Sequence, residues 1–170
     1  MRSTGAASVE FVILVPLVMT VFLASFESGI TMIRKTLLDY SVESTVRELR
    51  LGKITEPTVE ILKTKICDRM LMVNDCTGNL TLELNVRSTA SNILLPSITN
   101  KCINSATRVE PVLLFQAGAA NDLVLVRACL VQDIIFPISV AAMRTVNNTG
   151  TSTNYEYQLI STTAFVNEPR

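Results

Sequence analysis

Residues 5–33, GAASVEFVILVPLVMTVFLASFESGITMI, constrain this chain more than any other stretch. No charge occurs from Phe11 through Phe26, and Glu27 is the single charge before Arg34 and Lys35. About 23 residues at ~1.5 Å each give a helix of roughly 35 Å, enough to cross a bilayer core of ~30 Å. A secretory signal has a shorter apolar region with a small-residue cleavage site after it. Here the run is long and no A-x-A site follows it. Leu23-Ala24-Ser25-Phe26 also lacks the cysteine of a lipoprotein signal. The expectation is a retained membrane anchor. Pro16 lies inside it and removes one backbone hydrogen bond, which membrane helices tolerate with a kink or local melting.

The helical pattern does not stop with the apolar run. Ile30, Ile33 and Leu37 share one face, and Leu38, Val42, Val46 and Leu49 continue a stripe at helical spacing. Gly52 is a suitable stop. Anchor and amphipathic half therefore form one helix of about 45 residues. Its lower half faces lipid and its upper half lies against a domain. A second helix is expected over 57–73, opened by Pro57, with Val59, Leu62, Ile66 and Met70 as its apolar stripe. Asn74-Asp75 and Gly78-Asn79 are turn chemistry.

The rest reads as a small antiparallel sheet. Over 80–87, Leu80, Leu82, Leu84 and Val86 alternate with Thr81, Glu83, Asn85 and Arg87, the pattern of a half-buried strand. Residues 88–110 read as loop, 112–116 as a short strand and 117–122 as a turn. The stretch 123–131 is the most apolar strand and is expected at the centre. Arg127 shares a face with Cys129, so that face is expected at the sheet rim or partly wet. Residues 134–144 are ambiguous because of Pro137, 147–154 form a polar loop, and 155–167 a Thr-rich final strand. The fold class expected is α+β.

Composition narrows the chemistry. The formal net charge is zero, from 15 basic and 15 acidic residues, so nothing favours nucleic acid. The chain has no histidine and no tryptophan. Histidine is the commonest general base and a leading metal ligand, and Ser-His and Cys-His arrangements need it. Cys67, Cys76, Cys102 and Cys129 have no C-x2-C spacing, so neither a metal nor another cofactor is expected. An even number of cysteines beyond a membrane anchor favours disulfides. Of the three possible connectivities, the pairing expected is Cys67–Cys76, across a helix-to-strand loop, with Cys102–Cys129, tying a mid-domain loop to a strand. No Gly-rich phosphate loop or readable nucleophile spacing occurs, and one span cannot enclose a pore. The reading is not an enzyme.

The front of the chain carries the most specific pattern. Gly5 is followed by four small or apolar residues, then Glu10-Phe11 and the apolar run. This resembles the processing site of type IV prepilins, closest to the tight-adherence (Tad/Flp) branch. Phe26-Glu27-Ser28-Gly29 resembles the E-x-G that ends the anchor of TadE-like proteins. The strand DLVLVRACLV and the N-E-P close after Val166 resemble theirs as well. No D-x-S-x-S of the von Willebrand A domain of TadG-type relatives is present.

The resemblance implies a TadE-like minor pilin, or pseudopilin, required for assembly of an adhesive Tad pilus. It implies cleavage between Gly5 and Ala6 by a prepilin peptidase, with a leader over 1–5, a transmembrane helix over 6–33 and a periplasmic domain over 34–170. It also implies that Glu10 meets the new amine of a neighbouring subunit. A plainer role for Glu10 is an acid at the helix start, favoured by the macrodipole. Phe11 is expected as lipid-facing bulk. Glu27 is expected either to reach toward water or to contact a partner helix.

Lysine and arginine counts do not choose the orientation, since Arg2 stands before the anchor and Arg34, Lys35 and Arg47 after it. The short leader, the cysteines and the resemblance put the N-terminus in the cytoplasm of a bacterium and the domain in the periplasm. The partners implied are the peptidase, other Tad pilins, an inner-membrane assembly platform and the lipid bilayer. The alternative function is a single-span protein whose periplasmic domain binds a ligand or regulates a partner.

Overall fold

A computed structural model describes residues 6–54, 57–87, 102, 122–136 and 156–166. The leader with Gly5, the loop expected over 88–110 apart from Cys102, the strand expected over 112–116, residues 117–121, 137–144, the polar loop at 147–154 and the N-E-P close lie outside the described residues.

One helix, α1 (Ala6–Arg50), runs for 45 residues and contains Pro16. At ~1.5 Å per residue it is roughly 67 Å long. Its two halves have different surroundings. From Val9 to Phe26 most of the large apolar side chains stand exposed around the helix. Above that level one face turns inward, and Leu38, Val42 and Val46 enter the core. Ile33 does not follow them and stays exposed, because its direction on the helix is about 100° away from Arg34 and further from Leu38. The helix ends as Gly52 allows. Gly52 takes φ 70°. Its N–H donates to Leu49 O, and Lys53 N–H reaches back to Glu48 O, which closes a Schellman motif.

The second helix, α2 (Val59–Cys67), is shorter than expected at both ends. Thr58, not Pro57, sets its start, and its hydroxyl accepts from Ile61 N at 3.3 Å. A threonine cap satisfies a donor that a proline-led first turn would leave open. The far end is decided by the Cys67–Cys76 disulfide, whose Cα atoms are 5.7 Å apart. A helix continued to 73 would carry the chain ~9 Å past Cys67 and leave three residues to return. Instead the chain reverses through Met72 at φ 64° and Asp75 at φ 44°. A one-turn helix, α3 (Cys76–Asn79), then stands where plain turns were expected, and it leads directly into the sheet.

Three strands make one antiparallel sheet in the order β1 (Leu80–Arg87), β2 (Leu123–Asp133), β3 (Glu156–Val166). The most apolar strand is central, as its composition implies, and runs two residues beyond the expected end. The face toward α1 carries Leu80, Leu82 and Leu84 from β1 and Val124, Val126, Ala128 and Leu130 from β2. Tyr157, Leu159 and Phe165 complete it from β3. With Leu38, Val42, Val46, Leu62, Ile66 and Met70 these residues form one core. The architecture is α+β.

On the opposite face Arg127 is not at a rim. It lies in the middle of the central strand, directly across from Glu83, with Nη1 and Oε2 3.7 Å apart. Cys129 is buried on that face beside Thr81 and is bonded to Cys102, so the outer face is partly covered there. Both disulfides pair as the spacing suggested.

Leu130 tests the core directly, being fully buried on the inner face of the central strand. Leu130→Ala is expected to lower stability by about 2–5 kcal/mol, whereas Ile33→Ala, at an exposed position, should stay within about 0.5 kcal/mol. Thermal unfolding in detergent, followed by circular dichroism, separates the two.

Candidate functional site

The amino-terminal end of α1 holds the residues that sequence reasoning placed first. Ala6 is the first residue of the helix, and Gly5 stands one position before the described segment. Glu10 is exposed and is the fifth helical residue, so the first turn contains no acid. Phe11 is exposed at the foot of the apolar band.

Glu27 lies at the upper end of that band and is neither directed to water nor open to a partner helix. It is completely buried. Its carboxylate accepts from Ile135 N at 3.2 Å through Oε1 and from Phe136 N at 3.1 Å through Oε2. The donors follow the end of β2, more than a hundred residues away in sequence. The ring of Phe136 meets Phe26 edge-on, with centroids 6.4 Å apart. A carboxylate removed from water needs such donors, since an unpaired charge in an apolar setting costs several kcal/mol.

Seven residues further, Arg34 repeats the arrangement with the opposite charge. It is also buried. Its Nε donates to Met72 O at 3.1 Å, and its Nη1 donates to the Tyr157 hydroxyl at 2.6 Å. One guanidinium thus ties α1 to the loop after α2 and to the start of β3. Two more turns up is Ser41, fully buried, its hydroxyl donating to Leu37 O. Two turns beyond that, Glu48 holds α2. Lys65 Nζ lies 2.9 Å from Oε2, and Arg69 Nη2 donates to Oε1. Arg69 also reaches the Thr45 hydroxyl at 3.0 Å.

Glu27, Arg34, Ser41 and Glu48 therefore recur every seven residues, and two helical turns bring each back to nearly the same side. Sequence reasoning singled out Glu27 but passed over Arg34, Glu48, Arg69 and Tyr157 as contacts. The seven-residue spacing of polar residues was the signal that could have found the first two.

The Glu48 carboxyl is held below the usual carboxylate range. The hydrogen bond from Lys65 is the largest cause, partial burial opposes it, and the charges of Arg69 and Lys65 add to the lowering. Among the described residues no cluster of three metal-ligating side chains occurs, and none of the cysteines is free.

One described helix is long and apolar enough to cross a membrane, which fits a single-pass anchor carrying an α+β domain. Residues 5–47 match the model of the TadE-like protein family. The match takes in Gly5, Glu10, Phe11, Glu27, Arg34 and Ser41 and ends before Glu48 and the sheet. No curated protein and no solved structure matches the chain.

Two outcomes follow from these contacts. Glu27→Ala leaves two backbone N–H groups without their acceptor, at about 1–3 kcal/mol each. Amide hydrogen exchange at Ile135 and Phe136 should then quicken, and Glu27→Gln, which keeps one carbonyl oxygen, should lie between. Unchanged exchange in Glu27→Ala would show that the contact holds nothing. For Glu48 the sign follows from its lowered pKa. Its contribution is present above the ordinary carboxylate range and is lost as pH falls through the lowered folded value. Glu48→Gln should flatten that acid limb of a stability-versus-pH curve measured by thermal unfolding.

Proposed function

We propose that this protein is a minor pilin, or pseudopilin, of a tight-adherence (Tad/Flp) pilus system, acting in assembly and not in catalysis. The observation that carries the proposal is the match over residues 5–47, which takes in Gly5, Glu10 and the apolar run, with one unbroken helix from Ala6. In this reading residues 1–5 are a leader, 6–33 the transmembrane helix and 34–170 the outer domain. A prepilin peptidase cuts between Gly5 and Ala6. Glycine offers the least steric resistance at such a bond.

Cleavage leaves an amine on Ala6. Glu10, at the apolar boundary, then meets the amine of a neighbouring subunit, because an unpaired carboxylate there is costly. The exposed apolar side chains from Val9 to Phe26 supply the surface by which anchors pack in lipid and against other pilins. The protein sits in the bacterial inner membrane with its amino terminus in the cytoplasm and its domain in the periplasm. The two disulfides support an oxidising compartment for that domain. Its partners are the peptidase, other Tad pilins and the assembly platform.

The test is an intact mass of membrane-extracted protein, with and without a co-expressed cognate prepilin peptidase. The expected result is loss of residues 1–5 only when the peptidase is present, leaving Ala6 first. Glu10→Ala should then be cut normally but fail to assemble with other pilins. A full-length mass in both samples would overturn the pilin reading in favour of an anchored ligand-binding or regulatory domain.

A further inference from the structure

The height of Glu27 on α1 has a consequence for the outer domain, given the reading above in which α1 spans a membrane. Phe11 begins the uncharged run, and Glu27 stands 16 residues above it. At ~1.5 Å per residue that is about 24 Å, short of the ~30 Å thickness of a bilayer's hydrocarbon core. The carboxylate therefore lies at or inside the far edge of the apolar slab. Its two donors, the amides of Ile135 and Phe136, must lie at the same level, since they are 3.2 and 3.1 Å away.

The side chains around this point suit lipid. Ile135 is 44% exposed, Phe26 is 55% exposed, and Phe136 lies against Phe26. A second apolar pair sits one step higher. Arg34 holds Met72 O, and Leu71 and Met72 are 66% and 65% exposed. Seven residues separate Glu27 from Arg34, so this pair stands about 10 Å above the first, in the headgroup layer. The first patch adjoins the membrane-spanning band through Phe26, and the second is tied to α1 at Arg34.

We propose that residues 134–136, which follow the central strand, are a foot that enters the outer leaflet. In this arrangement the buried Glu27 clamp holds the foot at its depth, and Leu71 and Met72 rest among the headgroups. The partner is the lipid surface itself. The arrangement resolves two costs together. The carboxylate gains two backbone donors in a place without water, and those N–H groups gain an acceptor where lipid offers none.

The absence of tryptophan from the chain makes the depth measurable. The full-length protein is reconstituted into phosphatidylcholine–phosphatidylglycerol vesicles whose acyl chains are brominated close to the headgroup. Single tryptophans are introduced as Ile135→Trp, Leu17→Trp and Tyr40→Trp. Ile135 and Tyr40 are exposed, so an indole there does not enter the core. Leu17→Trp reports the anchor alone, and Tyr40 stands about 20 Å above Glu27 on the same helix.

The expected result is blue-shifted emission and loss of most intensity for Ile135→Trp, with Tyr40→Trp unaffected. Adding Glu27→Ala to Ile135→Trp should restore much of the intensity. Quenching of Leu17→Trp without quenching of Ile135→Trp would overturn the foot while leaving the anchor intact. Ile135→Trp quenching unchanged by Glu27→Ala would overturn the role given to the clamp. Failure of Leu17→Trp to be quenched would instead remove the membrane-spanning reading on which the foot rests.

Discussion

A carboxylate taken out of water must find donors, and in this protein that requirement joins the helix to the sheet. Glu27 has none on its own helix, because every amide there serves the helical ladder. It takes them from Ile135 and Phe136, just past the end of the central strand. The helix is a stiff rod, and the strand belongs to a hydrogen-bonded sheet. One contact between two such bodies limits both their rotation and their relative height. Arg34 adds a second contact one level up, to Met72 and Tyr157, and Glu48 a third, to α2. Buried charges of this kind add little net stability over apolar substitutes. Together they tie α1 to the end of β2, to the loop after α2, to the start of β3 and to α2 itself.

Stability comes from the surface between those contacts. Leu38, Val42 and Val46 on α1 pack against the inner face of the sheet, and Leu62 and Ile66 of α2 close the side. This core is small, and two disulfides tie its edges. Cys67–Cys76 shortens the path from α2 to β1, and Cys102–Cys129 fastens a distant segment to the outer face of the central strand. The lower half of α1 takes no part in this packing. Its backbone is satisfied within the helix, as a bilayer demands, and its exposed side chains are apolar from Phe11 to Phe26 apart from Thr20 and Ser25. The two hydroxyls bond back to Leu17 O and Val21 O and so add no unsatisfied donors to the band.

Much of the fold was legible because it depends on local periodicity. The 45-residue helix, its stop at Gly52, strand β1 and the central place of β2 all follow from spacing and composition that neighbouring residues share. The errors fall where a distant contact overrides the local pattern. Residues 68–73 carry an acceptable helical stripe, yet the bond from Cys67 to Cys76 turns the chain away. Arg127 beside Cys129 suggests a face at the rim or partly wet, and the structure leaves Arg127 partly exposed but in the middle of the sheet, across from Glu83 on the adjacent strand. Gly5 and Glu10 were legible as a motif, because the resemblance that marks them is read along the chain and needs no folded partner.

The sequence by itself determined the apolar run, the long helix, the three described strands and the cysteine count, since each rests on residues a few positions apart. It also marked Glu27 as an anomaly, an acid at the end of an apolar helix. Only the tertiary structure decided what that acid does. Its partners are backbone amides, which every residue carries, so no side-chain type announces them in the sequence. They become its partners because the sheet, packed on α1 through its apolar face, brings the end of β2 to that height on the helix.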